Sequence, residues 1–115
     1  MQDVIRAYLE YLEGERNYSP LTVRSYAEDL TQFTDFLRRH RHQSFSAVRN
    51  NILRDYLRSM VERGLSTKSI SRKLASLRSF FKYLRRHNLV DANPTLTTIE
   101  RCAEALGKSV RIELL

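Results

Sequence analysis

Six tyrosines, three histidines and one cysteine are the side chains whose types suit nucleophilic or metal-ligating chemistry, but their spacing supports neither role. Tyr8, Tyr26 and Tyr56 fall on apolar positions of helical patterns, where ring packing accounts for them. His40 and His42 flank Arg41 without a third ligand at metal spacing, which reads as a solvated turn. Cys102 has no histidine at a telling interval and reads as a small buried thiol. A lone cysteine excludes a disulfide framework and a cysteine-based zinc cluster, and fits a reducing, cytoplasmic compartment. No cofactor and no metal are expected. The chemistry that remains is recognition of an anion. Lys and Arg number 20 against 13 Asp and Glu, a net charge of +7, and the sequence pI is about 10.0.

The distribution of charge says more than its total. Residues 1–37 hold three basic residues (Arg6, Arg16 and Arg24) and seven acidic ones, a net −4. Residues 38–86 hold fourteen basic residues against Asp55 and Glu62, a net +12, and residues 87–115 come to −1. The middle segment has the make-up of a surface for phosphates, where each neutralised phosphate releases condensed counterions.

The elements that must carry these charges are helical. The chain has 115 residues, the length of one domain, and only 3 Gly and 2 Pro, too few for a sandwich or barrel of many short strands. No apolar run reaches the ~18–20 residues of a membrane span. Asp3 and Arg6 lie in the first ten residues, so no signal peptide is visible. Val4, Ile5, Tyr8, Leu9 and Leu12 recur at helical spacing over a first helix from about Gln2 to Arg16. Ser19-Pro20 is a start signal for a second, with Ser as N-cap and Pro at the first helical position. Its stripe is Val23, Tyr26, Ala27, Leu30, Phe33 and Leu37, and it runs into the basic segment Arg38-Arg39-His40-Arg41-His42. A third helix is expected after Ser46, with Ala47, Ile52, Leu53, Tyr56, Leu57 and Met60 inward, stopping at Gly64. Arg54 and Arg58 on it suit either DNA backbone or ordinary pairs with Asp55 and Glu62. Ser66 or Thr67 caps a fourth helix that ends near Arg86.

At ~100° per residue, Ile70, Leu74, Leu77, Phe81 and Leu84 of that fourth helix lie within roughly 40° of one direction. Lys68, Arg72, Ser76, Ser79, Lys82 and Arg86 fall on the opposite side. A basic face with small hydroxyl residues between its charges can approach a duplex closely. Beyond Asn93-Pro94 the composition changes. Residues 95–106 read as a short helix with Gly107 as its stop, and residues 110–115, with Val110 first and Leu115 last, as an alternating strand.

Several of these segments, in this order, resemble the N-terminal core-binding (SAM-like) domain of tyrosine recombinases and phage integrases of the Xer type. They are Tyr11-Leu12 to Glu15-Arg16, then Tyr18-Ser19-Pro20-Leu21-Thr22-Val23-Arg24-Ser25-Tyr26 with Asp29-Leu30, and Arg63-Gly64-Leu65-Ser66. Ser69-Ile70-Ser71-Arg72-Lys73-Leu74, Leu77 to Leu84 and Asn93-Pro94 complete the series. The resemblance implies an all-α, four-helix bundle over residues 1–94 that forms half of a clamp on the recombination site. It places the starts of the second and fourth helices in the major groove. The implied contacts are Thr22, Arg24 and Ser25 from the second helix, and Ser66, Lys68, Ser69, Arg72, Lys73 and Ser76 from the fourth. Lys82 and Arg86 join Lys68 as phosphate contacts, while Arg24 and Arg72 suit base edges, because arginine grips guanine in two-pronged fashion. The family cuts DNA with a tyrosine nucleophile in a separate C-terminal domain. No His-x-x-Arg precedes a tyrosine here at the required distance, so these residues are not expected to cleave DNA.

Residues 95–115 resemble the last helix and closing strand of antitoxin-type helix-turn-helix repressors. This is either a splice of unlike pieces or a chance match in a short amphipathic segment. An apolar strand without a partner invites association, so a homodimer through residues 110–115 is an expectation. The expected function is therefore a DNA-binding recombinase module without catalysis of its own. The alternative is a protein-interaction or regulatory module whose tail mediates assembly.

Overall fold

The computed structural model describes residues 1–42, 45 and 48–89, and among them the ordered elements are four long α-helices and no strand. In chain order these are α1 (Gln2–Gly14), α2 (Pro20–Arg39), α3 (Asn50–Glu62) and α4 (Thr67–Arg86). The expected all-α architecture is present. The short helix, the Gly107 stop, the strand over residues 110–115 and Cys102 all lie outside the described residues.

The chain divides into two compact units, one containing α1 and α2 and the other α3 and α4. In the first, α1 packs against α2. α1 buries Ile5, Tyr8 and Leu12, and α2 buries Leu30, Phe33, Phe36 and Leu37. Buried Thr34 satisfies its hydroxyl by donating to the Leu30 carbonyl at 2.8 Å, the local back-bond open to a threonine inside a helix. In the second unit α3 packs against α4, with Ile52, Leu53, Tyr56 and Met60 buried on α3 and Ile70, Leu74, Leu77, Phe80, Phe81 and Leu84 on α4.

α1 ends at Gly14, two residues before the expected Arg16. The backbone N–H groups of Glu15 and Arg16 both donate to the Tyr11 carbonyl, at 2.9 and 3.1 Å, and Asn17 turns left-handed at φ 56°. That convergence ends the helix at Gly14. α3 begins at Asn50 and not just after Ser46. The chain buries Val48, and Arg49 stays extended at φ −123°, ψ 172° as an N-cap without a side-chain bond.

α2, α3 and α4 share one way of stopping. In each, the residue after the cap donates its N–H three residues back, and the next residue reaches five back. The long bonds are His42 to Leu37 at 2.8 Å, Leu65 to Met60 at 3.2 Å and Leu89 to Leu84 at 2.8 Å. The turning residues are Arg41 (φ 64°), Gly64 (φ 81°) and Asn88 (φ 56°). This is the Schellman arrangement, which satisfies otherwise orphaned carbonyls but requires a left-handed residue. Only Gly64 adopts that conformation free of Cβ strain.

Candidate nucleic-acid interface

α2 and α4 start with the same construction. Ser19 is extended at φ −65°, ψ 151°, and Ser66 at φ −67°, ψ 154°. Each serine Oγ accepts the backbone N–H three residues on, from Thr22 at 3.2 Å and from Ser69 at 3.1 Å. Each also meets that residue's hydroxyl, Ser19 with Thr22 at 2.9 Å and Ser66 with Ser69 at 3.0 Å. Neither first turn contains an acidic residue. The positive end of each helix dipole therefore carries small hydroxyl groups and nearby cations, a composition suited to phosphate.

From the α2 start, Thr22 and Arg24 are exposed and Ser25 is half-buried. Two carboxylates follow Arg24 closely in sequence, but Asp29 is only 1% exposed, so its charge is withdrawn from the surface that Arg24 occupies. On α4, Lys68, Arg72, Lys82 and Arg86 are exposed, and Ser69 is half-buried. Lys68 and Arg86 stand about 27 Å apart along the axis at ~1.5 Å per residue. One helix face thus presents a cationic pair near each end.

Two of the expected contacts are placed differently. Ser76 is 0% exposed, and its hydroxyl donates to the Arg72 carbonyl at 3.3 Å. Lys73 is 6% exposed. Both lie on the flank that also buries Phe80, so the covered arc of α4 is wider than the single stripe of five apolar residues suggests. Ser76 and Lys73 therefore leave the set of outward-facing residues.

Sequence reasoning passed over a cluster just before α2. The exposed Arg16 guanidinium lies 5.6 Å from the centre of the Tyr18 ring, and its Nη2 donates to the Tyr18 hydroxyl at 3.4 Å. A side-chain hydrogen bond with Tyr11, followed by the influence of Tyr18, pushes the guanidinium pKa further upward. Tyr18 meets Tyr26 edge to face, ring centres 5.9 Å apart at 65°. The available signal was Arg16-x-Tyr18 directly ahead of the Ser19-Pro20 cap.

The His40 ring lies 4.2 Å from that of Phe36, and among the described residues no three His, Cys, Asp or Glu side chains are grouped to hold a metal. Arg58 pairs with Asp55 at 3.6 Å on an exposed face. No described helix is long and apolar enough to cross a membrane.

Residues 5–88 match the family described as phage integrase, N-terminal SAM-like domain. The chain belongs to that family. The tyrosine recombinase XerC of Oceanobacillus iheyensis is 42% identical over 90 residues, covering 78% of this chain and 30% of that protein. XerC of Lacticaseibacillus casei is 43% identical over 91 residues, with the same coverage of 78% and 30%. XerC of Bacillus subtilis is 35% identical over 94 residues, covering 82% of this chain and 31% of the relative. The chain thus spans about a third of the length of these relatives. No solved structure matches it. The integrase SAM-like match closes at residue 88, two residues after the end of α4.

Proposed function

We propose that this integrase SAM-like domain binds duplex DNA as the gripping portion of a site-specific tyrosine recombinase, using the N-terminal turns of α2 and α4 in the major groove. The observation that carries the reading is the duplicated cap. Ser19 with Thr22 and Ser66 with Ser69 build two equivalent helix starts, each followed by exposed cations, Arg24 in one and Lys68 and Arg72 in the other. Arg24 and Arg72 read base edges. Lys68, Lys82 and Arg86 hold phosphates and set the register. Strand cleavage is not a function of these helices. It belongs to the part of such recombinases outside the matched third.

The test is duplex binding by the full chain across a salt series. Affinity should fall steeply as salt rises from about 50 to 200 mM, since each phosphate contact adds to the slope. Absence of binding at about 50 mM would refute the reading and favour a protein-interaction module.

A further inference from the structure

The cluster ahead of α2 has no part in the contacts assigned above. Arg16 follows Glu13 and Glu15 in sequence, yet among the described residues no carboxylate pairs with it. It turns instead to tyrosine oxygens. The Tyr18 bond is long at 3.4 Å, beyond the usual range for N–H···O. The residue is exposed, so the donors of its fork beyond those engaged by Tyr11 and Tyr18 remain open to solvent. The backbone on both sides is held. The Arg16 N–H donates to the Tyr11 carbonyl at 3.1 Å, and the Tyr18 N–H donates to the Leu12 carbonyl at 2.9 Å across left-handed Asn17. The Tyr18 ring in turn rests against Tyr26.

An exposed arginine on a held backbone, with donors to spare and a tyrosine hydroxyl beside it, is pre-organised to take a tetrahedral anion at reduced entropic cost. Residues 1–37 contain only two other basic residues, Arg6 and Arg24. Arg16 stands three positions before the Ser19 cap, so the anion it meets lies next to whatever α2 contacts. We infer that Arg16 and the Tyr18 hydroxyl form a DNA backbone-phosphate site flanking the N-terminal turn of α2. This rests on the duplex-binding reading above. It gives the second helix the positioning cation that Arg24, engaged with bases, does not supply.

The experiment is fluorescence anisotropy of the full chain with a labelled random-sequence duplex over a salt series, comparing wild type with Arg16→Gln, Tyr18→Phe and Lys82→Ala. Arg16→Gln should bind about tenfold more weakly, the scale of a lost charged hydrogen bond. Its plot of log affinity against log salt should be shallower by about 0.9. Tyr18→Phe should lower affinity at an unchanged slope, because the hydroxyl carries no charge. A purely structural role for Arg16 would shift the melting midpoint and leave the slope alone. If Arg16→Gln keeps the wild-type slope while Lys82→Ala lowers it, the Arg16 site is wrong and the duplex-binding reading stands. If wild type shows no salt-dependent binding, both fall. Should Arg16→Gln unfold, Tyr18→Phe decides alone, and wild-type affinity in that variant overturns the site.

Discussion

The hydroxyl of Ser66 accepts the backbone N–H of Ser69 at 3.1 Å, and so ties the first turn of α4 at the point where the proposed DNA contact begins. Cap and contact share one residue, and substitution separates them. Ser66→Ala should cost about 1 kcal/mol in urea unfolding, the usual loss for a missing N-cap. Ser66→Asp keeps a capping oxygen and should hold stability within about 0.5 kcal/mol. Its carboxylate would meet phosphates, so duplex affinity should fall although the fold is intact. Equal duplex binding by Ser66→Asp and wild type would remove the α4 start from the interface.

The two ends of α4 should respond differently to mutation. Arg72→Ala is expected to lose about 1–3 kcal/mol on a preferred site and to relax discrimination there. Lys82→Ala should weaken all sequences alike and reduce the salt slope by about 1. Titrations on a selected site and on random duplex, each over several salt concentrations, compare them. Uniform loss from Arg72→Ala would reassign it to the backbone.

Ser76 is enclosed and bonded to the Arg72 carbonyl. Ser76→Ala should therefore leave duplex affinity within about twofold, well under the ~1 kcal/mol of a typical hydrogen bond. A larger loss would mean that α4 opens this flank on binding.

The left-handed turn after α4 falls on Asn88 at φ 56°, and the one after α2 on Arg41 at φ 64°. Glycine removes the Cβ conflict. Asn88→Gly and Arg41→Gly should each raise stability by about 1 kcal/mol or less, offset in part by the greater freedom of glycine in the unfolded chain. Chemical denaturation of the single variants measures this. Gly64 (φ 81°) occupies the equivalent position after α3 and serves as the internal reference.

Burial, with the neighbouring Tyr18 adding to it, pushes the Tyr26 phenol above its ordinary value of 10.0. The folded state then holds that proton more tightly than the unfolded chain does. The associated stabilisation is complete below pH 10.0 and is lost as pH rises through the folded-state value. The urea midpoint should decline above that pH, and Tyr26→Phe should make the decline shallower. An identical alkaline profile in the two proteins would contradict it.

Much of this was legible from residue order. Ser19-Pro20 and Ser66 marked two helix starts correctly because capping is local chemistry, settled within four residues. The apolar stripe of α4 located Lys68, Arg72, Lys82 and Arg86 on an exposed face. The same stripe misplaced Ser76, and the family resemblance named the buried Lys73, since a single direction of burial cannot represent a helix covered along a wider arc, and Phe80 was the clue to that arc. The start of α3 was set too early because burial of Val48 precedes the helix and leaves no capping signature. Arg16 escaped notice for a different reason. A loop arginine has no periodicity, and its pairing with Tyr11 and Tyr18 exists only once Asn17 has turned the chain back.

On α4, Lys68 and Arg72 stand in the first two turns and Lys82 and Arg86 in the last two, with exposed Arg78 between them. In the proposed binding mode a change of target sequence would fall on residues 66–72, less than two turns, while Lys82 and Arg86 kept their phosphate contacts. Such a domain can be given a new address without being rebuilt. A library randomised over that one short segment should yield altered preference at nearly constant general affinity.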